Sequence, residues 1–192
     1  MKELHHIIPL PVRTNVEAEL IGQYIDTIRS SRYAITCNQH VLYCAEESVT
    51  IAGTDYRALI YLDEHKQADQ HKRLLKEILE CEQFVLSQKY TKRSEFESFF
   101  DERKPALKHY FGLHKKGRLW ELRRDTDEID SALSRMGMFV LITNSTLTGQ
   151  QVINFYREKD GVEKCFDSLK NNLSLKRLRV HSQEALEGLL LV

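Results

Sequence analysis

Residues 139–170 read FVLITNSTLTGQQVINFYREKDGVEKCFDSLK. The stretch opens on an unbroken apolar run, Phe139 to Thr143, of the kind that suits an interior strand covered on both faces. A short polar loop follows. Thr148 is a natural N-cap, and Gln151 completes a T-x-x-Q capping box. Val152, Phe155, Val162, Phe166, Leu169 and Leu173 then recur at helical spacing, which predicts a helix to about Asn172.

The polar residues of this helix are ordered. At about 100° per residue, Tyr156, Lys159, Glu163 and Lys170 fall within about 60° of one another, beside the apolar stripe. Arg157, Asp160, Lys164, Asp167 and Asn171 point the other way. The four therefore sit on the shoulder of the buried face, where a helix meets a cleft. Geometry alone leaves the blander reading ahead, a solvated face with Lys159 and Glu163 as an i,i+4 ion pair worth a few tenths of a kcal/mol.

Upstream, His5 to Leu10 reads as a short strand bounded by Pro9 and Pro11. Asn15 to Ser30 has helical spacing through Ile28. Tyr33 to Ile51 is rich in β-formers, with breaks expected at Asn38 and at Glu46–Ser48, and Tyr56 to Leu62 is a further strand. Gln67 to Gln88 and Ser94 to His109 read as helices, the second broken near Pro105. Tyr110 to Leu122 reads as a hairpin with Gly112 and Gly117, and Thr126 to Arg135 as a short helix. Beyond the long helix, Leu175 to Val180 alternates like a strand, and Ser182 can cap a final helix.

The 192 residues are enough for one domain or slightly more, with 42% hydrophobic and 29% charged residues and zero formal net charge. Overall charge thus argues neither for nor against a nucleic-acid partner, and local patches must decide. The tail is one such patch: Lys164, Lys170, Lys176, Arg177 and Arg179 face only Asp167 between residues 164 and 181. Lys115, Lys116 and Arg118 are another, at the hairpin tip, where a solvated loop is the commoner reading. No C-x2-C pair occurs among Cys37, Cys44, Cys81 and Cys165, so they read as reduced thiols of a cytoplasmic protein. No apolar stretch approaches the ~20 residues of a membrane span. His5 and His6 alternate across a strand, and His65 and His71 are six apart, so neither pair shares a face as a metal site requires.

Tyr156, Lys159, Glu163 and Lys170 match the Y-x2-R-x3-E-x6-K signature of DDE transposases of bacterial insertion sequences, the group named after insertion sequence four, with Lys where that family usually has Arg. FVLITN, the following F-Y-R, E-K-x-F-x-x-L-K and LSLKRLRVH also resemble that family, specifically over residues 137–192 and only in element order before. The resemblance implies an α+β chain: part of a ribonuclease H-like catalytic domain with a large β-containing insertion. Residues 1–12 would be a core strand, 13–145 the insertion, and 146–192 the catalytic helix with the start of the C-terminal part.

In such enzymes three acids hold two divalent ions, Mg²⁺ or Mn²⁺, which activate the attacking oxygen and steady the leaving one. By position Glu163 matches the third acid, catalytic and metal-binding. Tyr156, Lys159 and Lys170 match residues that contact DNA phosphates at the transposon ends, and Lys176, Arg177 and Arg179 extend that basic surface. The first two acids would precede Met1, and Asp26, Asp55 and Asp63 lack the family's context. The expectation is therefore a truncated transposase, inert alone, with a homodimer as the candidate assembly on DNA. The alternative is a non-catalytic DNA-binding or oligomerising remnant.

Overall fold

The computed structural model describes residues 5–12, 14–87, 92–117 and 119–159. Residues Met1–Gln150 form one compact unit and Gln151–Val192 a second.

In the first unit the chain forms β1 (Ile7–Pro9), α1 (Asn15–Tyr24), β2 (Ala34–Cys37), β3 (His40–Ile51), β4 (Thr54–Leu62), α2 (Glu64–Leu86), α3 (Arg93–Arg103), β5 (Phe111–Lys116), β6 (Leu119–Arg124), α4 (Thr126–Arg135) and β7 (Met138–Thr143). The architecture is α+β. A five-stranded sheet runs in the order β1-β7-β4-β3-β2, and every pairing in it is antiparallel. The apolar run 138–143 is interior, as its composition predicts, lying between β1 and β4, with Val140 to Thr143 buried. Pro9 is tolerated in β1 because that strand is an edge with a single neighbour.

Tight turns set the register. Asn38 (φ 50) and Gln39 (φ 66) close β2 onto β3, and Ala52 (φ 52) with Gly53 (φ 79) closes β3 onto β4. Consecutive positive φ angles are those of the two-residue hairpin turns that match strand twist. The break expected at Glu46–Ser48 does not exist: β3 pairs with β4 without interruption from Tyr43↔Leu62 to Ile51↔Thr54. Glu46 and Ser48 are accommodated because they alternate onto one face, where Glu46 finds Arg57.

Alternation also sorts the sheet's two faces. Ala45, Ala58, Ile60, Leu62, Val140 and Ile142 join Leu20 and Ile21 of α1 in one core cluster. Thr14 caps α1, accepting from the Glu17 backbone N–H at 3.3 Å. The helix is shorter than its spacing suggests. It ends at Tyr24, whose carbonyl accepts from the backbone N–H groups of both Thr27 and Ile28, and the chain continues in turns that bring Ile28 to full burial. Asp26 accordingly lies exposed in those turns and not in a helix.

A second cluster gathers α2, α3, β6 and α4 around Leu74, Ile78, Phe96, Phe100, Leu122 and Ile129, with Phe111, Leu113 and Trp120 of the β5–β6 hairpin packed against it. Asp63 and Asp125 cap α2 and α4, each accepting a backbone N–H three residues on at 3.1 Å. The break near Pro105 is real: α3 stops at Arg103, and a 3-10 turn over Pro105–Tyr110 leads into the hairpin. Between α4 and β7, Gly137 has φ +77, and a Cβ there would lie 2.6 Å from the Asp63 carbonyl oxygen and from the Gln67 Cβ, so only glycine fits.

Candidate functional site

The chain leaves β7 at Thr143 and is helical over residues 149–159, through the last described residue of the motif stretch. The residues between them are held by side chains of β7 and β4. Thr143 Oγ1 donates to the His6 carbonyl at 2.6 Å and accepts from the Ser145 backbone N–H at 3.1 Å. The His6 backbone N–H donates to Asn144 Oδ1 at 3.0 Å, which ties β1 to the same turn.

Arg57 on β4 makes the largest set of contacts. Its Nη1 donates to the carbonyls of Ser145 at 2.6 Å and Leu147 at 2.9 Å. Its Nε and Nη2 meet the two carboxylate oxygens of Glu46 at 2.6 and 2.7 Å. This fork-to-fork geometry is the strong form of a charge-assisted pair. The guanidinium holds the Glu46 carboxyl below its ordinary range, and the carboxylate in turn raises Arg57.

Tyr61, fully buried, donates its hydroxyl to the Gly149 carbonyl at 2.8 Å. Its ring stacks on Phe139 of the neighbouring strand at 5.2 Å between centroids. Beside it, burial pushes the Cys44 thiol up to about 11, so at neutral pH this sulfur is a protonated packing group. Gly149 is required by that contact: a Cβ there would sit 2.5 Å from Cys44 Sγ. Gln150 Nε2 donates to Thr36 Oγ1 at 3.2 Å. Gly149 and Gln150, at the end of the first unit, are thus held by β4 and β2.

None of Arg57, Tyr61, Glu46 or Cys44 stands out in the sequence. The one available signal is a charged residue inside an otherwise apolar strand, Arg57 in YRALIYL, where burial beside Leu59 and Tyr61 requires a partner.

Of the motif residues, Tyr156 and Lys159 are described. Both lie on the helix, Tyr156 partly buried and Lys159 exposed. Glu163, Lys170, Lys176, Arg177 and Arg179 lie outside the described residues, as do the segments 175–180 and 182–192. The three aspartates considered as stand-ins for missing acids are separately employed or isolated. Asp63 caps α2, Asp55 accepts from Thr50 Oγ1 at 2.6 Å, and Asp26 is exposed beyond α1. His65 packs its ring on His40 at 4.8 Å between centroids, whereas His71 Nε2 meets the Leu133 carbonyl at 2.8 Å.

Residues 4–192 match the family model described as the transposase DDE domain. The chain belongs to that family. No curated protein and no solved structure matches it.

Membership makes the chain a transposase domain, a protein of DNA transposition with DNA as its partner. Transposases of this kind use divalent metal ions. Among the described residues, however, no three His, Cys, Asp or Glu side chains gather so as to hold a metal ion. The described part of the transposase domain therefore supplies no metal site. Nor is any helix among the described residues long and apolar enough to cross a membrane.

Proposed function

We infer that the chain is the Glu-bearing part of an insertion-sequence-four-type DDE transposase, with a ribonuclease H-like core interrupted by a β-containing insertion. Its role is to present one carboxylate and a phosphate-binding face to a transposon end. The observation that carries the reading is the spacing Tyr156, Lys159, Glu163, Lys170 within a chain whose family is the transposase DDE domain. Placement of Tyr156 and Lys159 on one helix is consistent with it.

In this reading Glu163 is the third acid, and Tyr156, Lys159 and Lys170 contact phosphates near the cut, with Lys176, Arg177 and Arg179 beyond them. A cation against a phosphate oxygen offsets charge directly, and a tyrosine hydroxyl can donate to the same group. Residues 1–12 serve as a core strand, 13–145 as the insertion and 146–192 as the catalytic helix and the start of the C-terminal part. The division between compact units at Gln150 falls close to residue 146.

Strand cleavage by this chemistry needs Mg²⁺ or Mn²⁺ held by several carboxylates. Glu163 is one. That Asp63 caps α2, Asp55 accepts from Thr50 and Asp26 is exposed beyond α1 supports the reading that the acids completing the site are not among them. The chain alone binds DNA and does not cut it.

The test of the binding face is titration of a fluorescent duplex at several salt concentrations. Lys170→Gln with Arg177→Gln and Arg179→Gln is expected to weaken binding and flatten its salt dependence. Unchanged affinity would remove the tail from the DNA surface.

A further inference from the structure

Helix α2 carries two lines of residues with different fates. At about 100° per residue, Gln67, Leu74, Ile78, Cys81 and Val85 lie within about 60° of one another and are buried, the last four in the second core cluster. Ala68, Lys72, Leu75, Leu79, Glu82 and Leu86 form a second line, within about 80° and centred about 110° from the first. Its steps alternate between four and three residues, the repeat of a seam between two helices. The core makes no use of this line. Leu75, Leu79 and Leu86 are 39%, 44% and 65% exposed, and Ala68 and Lys72 are exposed as well. Three leucines aligned in water along one helix face form an apolar patch of the kind that marks a contact surface.

Charge sets the partner and its direction. The seam holds one cation, Lys72, and one acid, Glu82. Two copies of the helix laid parallel would set Lys72 against Lys72 and Glu82 against Glu82, and like charges would oppose the contact. Laid antiparallel about a two-fold axis level with Glu77, each position meets its complement. Leu75 then faces Leu79 of the second copy, Lys72 faces Glu82, and Ala68 faces Leu86, each pair occurring twice by symmetry. The seam is therefore complementary to itself in one orientation only.

The neighbouring charges are compatible with that pairing. Arg124 of β6 holds both carboxylate oxygens of Glu82 and so fixes the acid in place. A carboxylate has about four acceptor positions, which leaves room for a lysine from a second copy. Lys76, which flanks the axis, is offset by Glu80 of its own helix at 3.7 Å.

We propose that this face of α2 is a self-association surface: two copies of the chain pair α2 against α2, antiparallel, with Leu75 and Leu79 at the centre and a Lys72–Glu82 contact on either side. The contact needs no DNA. It goes beyond the reading of the chain as a DNA-binding transposase domain and stands or falls separately from it. A single helix pair is a small interface, of the class that makes weak, reversible complexes.

The experiment is analytical ultracentrifugation of the full chain without DNA, up to several hundred micromolar. The parent chain is expected to show a monomer–dimer equilibrium with a dissociation constant on the order of 100 µM. Three variants are compared: Leu75→Glu with Leu79→Glu, Lys72→Glu, and the control Val41→Glu, which replaces an equally exposed apolar residue on β3. Thermal unfolding of each reports the fold. The leucine pair should weaken the dimer about a hundred-fold. Lys72→Glu should weaken it about ten-fold, because two acids then face each other at both ends of the seam. The control should stay within about two-fold of the parent. Lys72→Glu alters only an exposed side chain, so it decides the matter if the leucine pair fails to fold. A parent chain that stays monomeric throughout would overturn the proposal, and so would leucine or control variants with equal effects. An unchanged dimer in Lys72→Glu would overturn the antiparallel pairing.

Discussion

The Tyr61 hydroxyl and the Gly149 carbonyl oxygen lie 2.8 Å apart, so strand β4 is tied to the chain at Gly149, close to the end of the first unit. Tyr61 is fully buried, so solvent has no ready access to replace that donor if it is removed. Tyr61→Phe keeps the ring and its stacking on Phe139 and deletes only the hydroxyl. It should cost about 0.5–1.5 kcal/mol, the usual net worth of one part-buried hydrogen bond. Urea denaturation measures this, and a variant as stable as the parent would show that the bond contributes nothing.

Close approach of Gly149 to Cys44 gives a second, independent check on the same junction. Gly149→Ala puts a methyl 2.5 Å from Cys44 Sγ and should destabilise the chain by about 1–3 kcal/mol through overpacking. Cys44→Ala removes the sulfur, and the remaining Cβ contact of 3.5 Å is ordinary. The double variant should therefore be more stable than the sum of the two single effects. A double-mutant cycle with no coupling would place the two residues out of contact.

Arg57 makes the junction sensitive to acid. Glu46 is held below its ordinary range by the Arg57 hydrogen bonds. A carboxylate whose folded pKa is depressed adds stability above its unfolded pKa, about 4.3, and that stability is lost as pH falls through the folded value. The parent chain should thus lose stability below about pH 4 by an amount that Glu46→Gln does not show. With both groups partly exposed, the effect is modest and should shrink with added salt. Arg57→Gln should weaken the protein at every pH, because the Ser145 and Leu147 carbonyls lose their donor as well. Melting temperature against pH for the three proteins separates these outcomes.

Tyr24 reports on the opposite face of the sheet. Its hydrogen bond to Glu47 raises its pKa to about 12, with burial adding to the shift. For a group whose folded pKa is raised, the associated stability is present below the unfolded value of about 10 and is lost as pH rises through the folded one. An ultraviolet phenolate titration should show late ionisation from Tyr24 and from the buried Tyr61, which burial also pushes up, and Tyr24→Phe or Glu47→Gln should reduce that late amplitude by one tyrosine.

Much of this arrangement was legible in the sequence because it depends on local chemistry. The run FVLIT is apolar at every position but its last, which only an interior strand tolerates, and β7 is interior. α2 begins at Glu64, ahead of the Gln67 at which its apolar spacing starts, because Asp63 caps it. Gly117 closes the β5–β6 hairpin where the turn needs a positive φ. Glu46 and Ser48 misled for the same local reason: three polar residues in a row read as a turn, and nothing nearby in sequence reveals the Arg57 that makes a strand possible there. Extra length given to α1 came from spacing that Ile25 and Ile28 continue in turns. The clamp on Ser145, Leu147 and Gly149 was not legible at all. Its donors lie 88 to 90 positions away, and only the β4–β7 pairing brings them together.

In the proposed reading Glu163 is a catalytic acid whose partner acids this chain does not supply. The most direct measurement incubates the purified chain with supercoiled plasmid DNA and Mg²⁺ or Mn²⁺ and follows nicking over time. The account predicts salt-sensitive DNA binding with no metal-dependent nicking, in the parent chain and in Glu163→Ala alike. Metal-dependent nicking by the parent chain that disappears in Glu163→Ala would contradict it, because the remaining acids of an active site would then have to lie within these 192 residues.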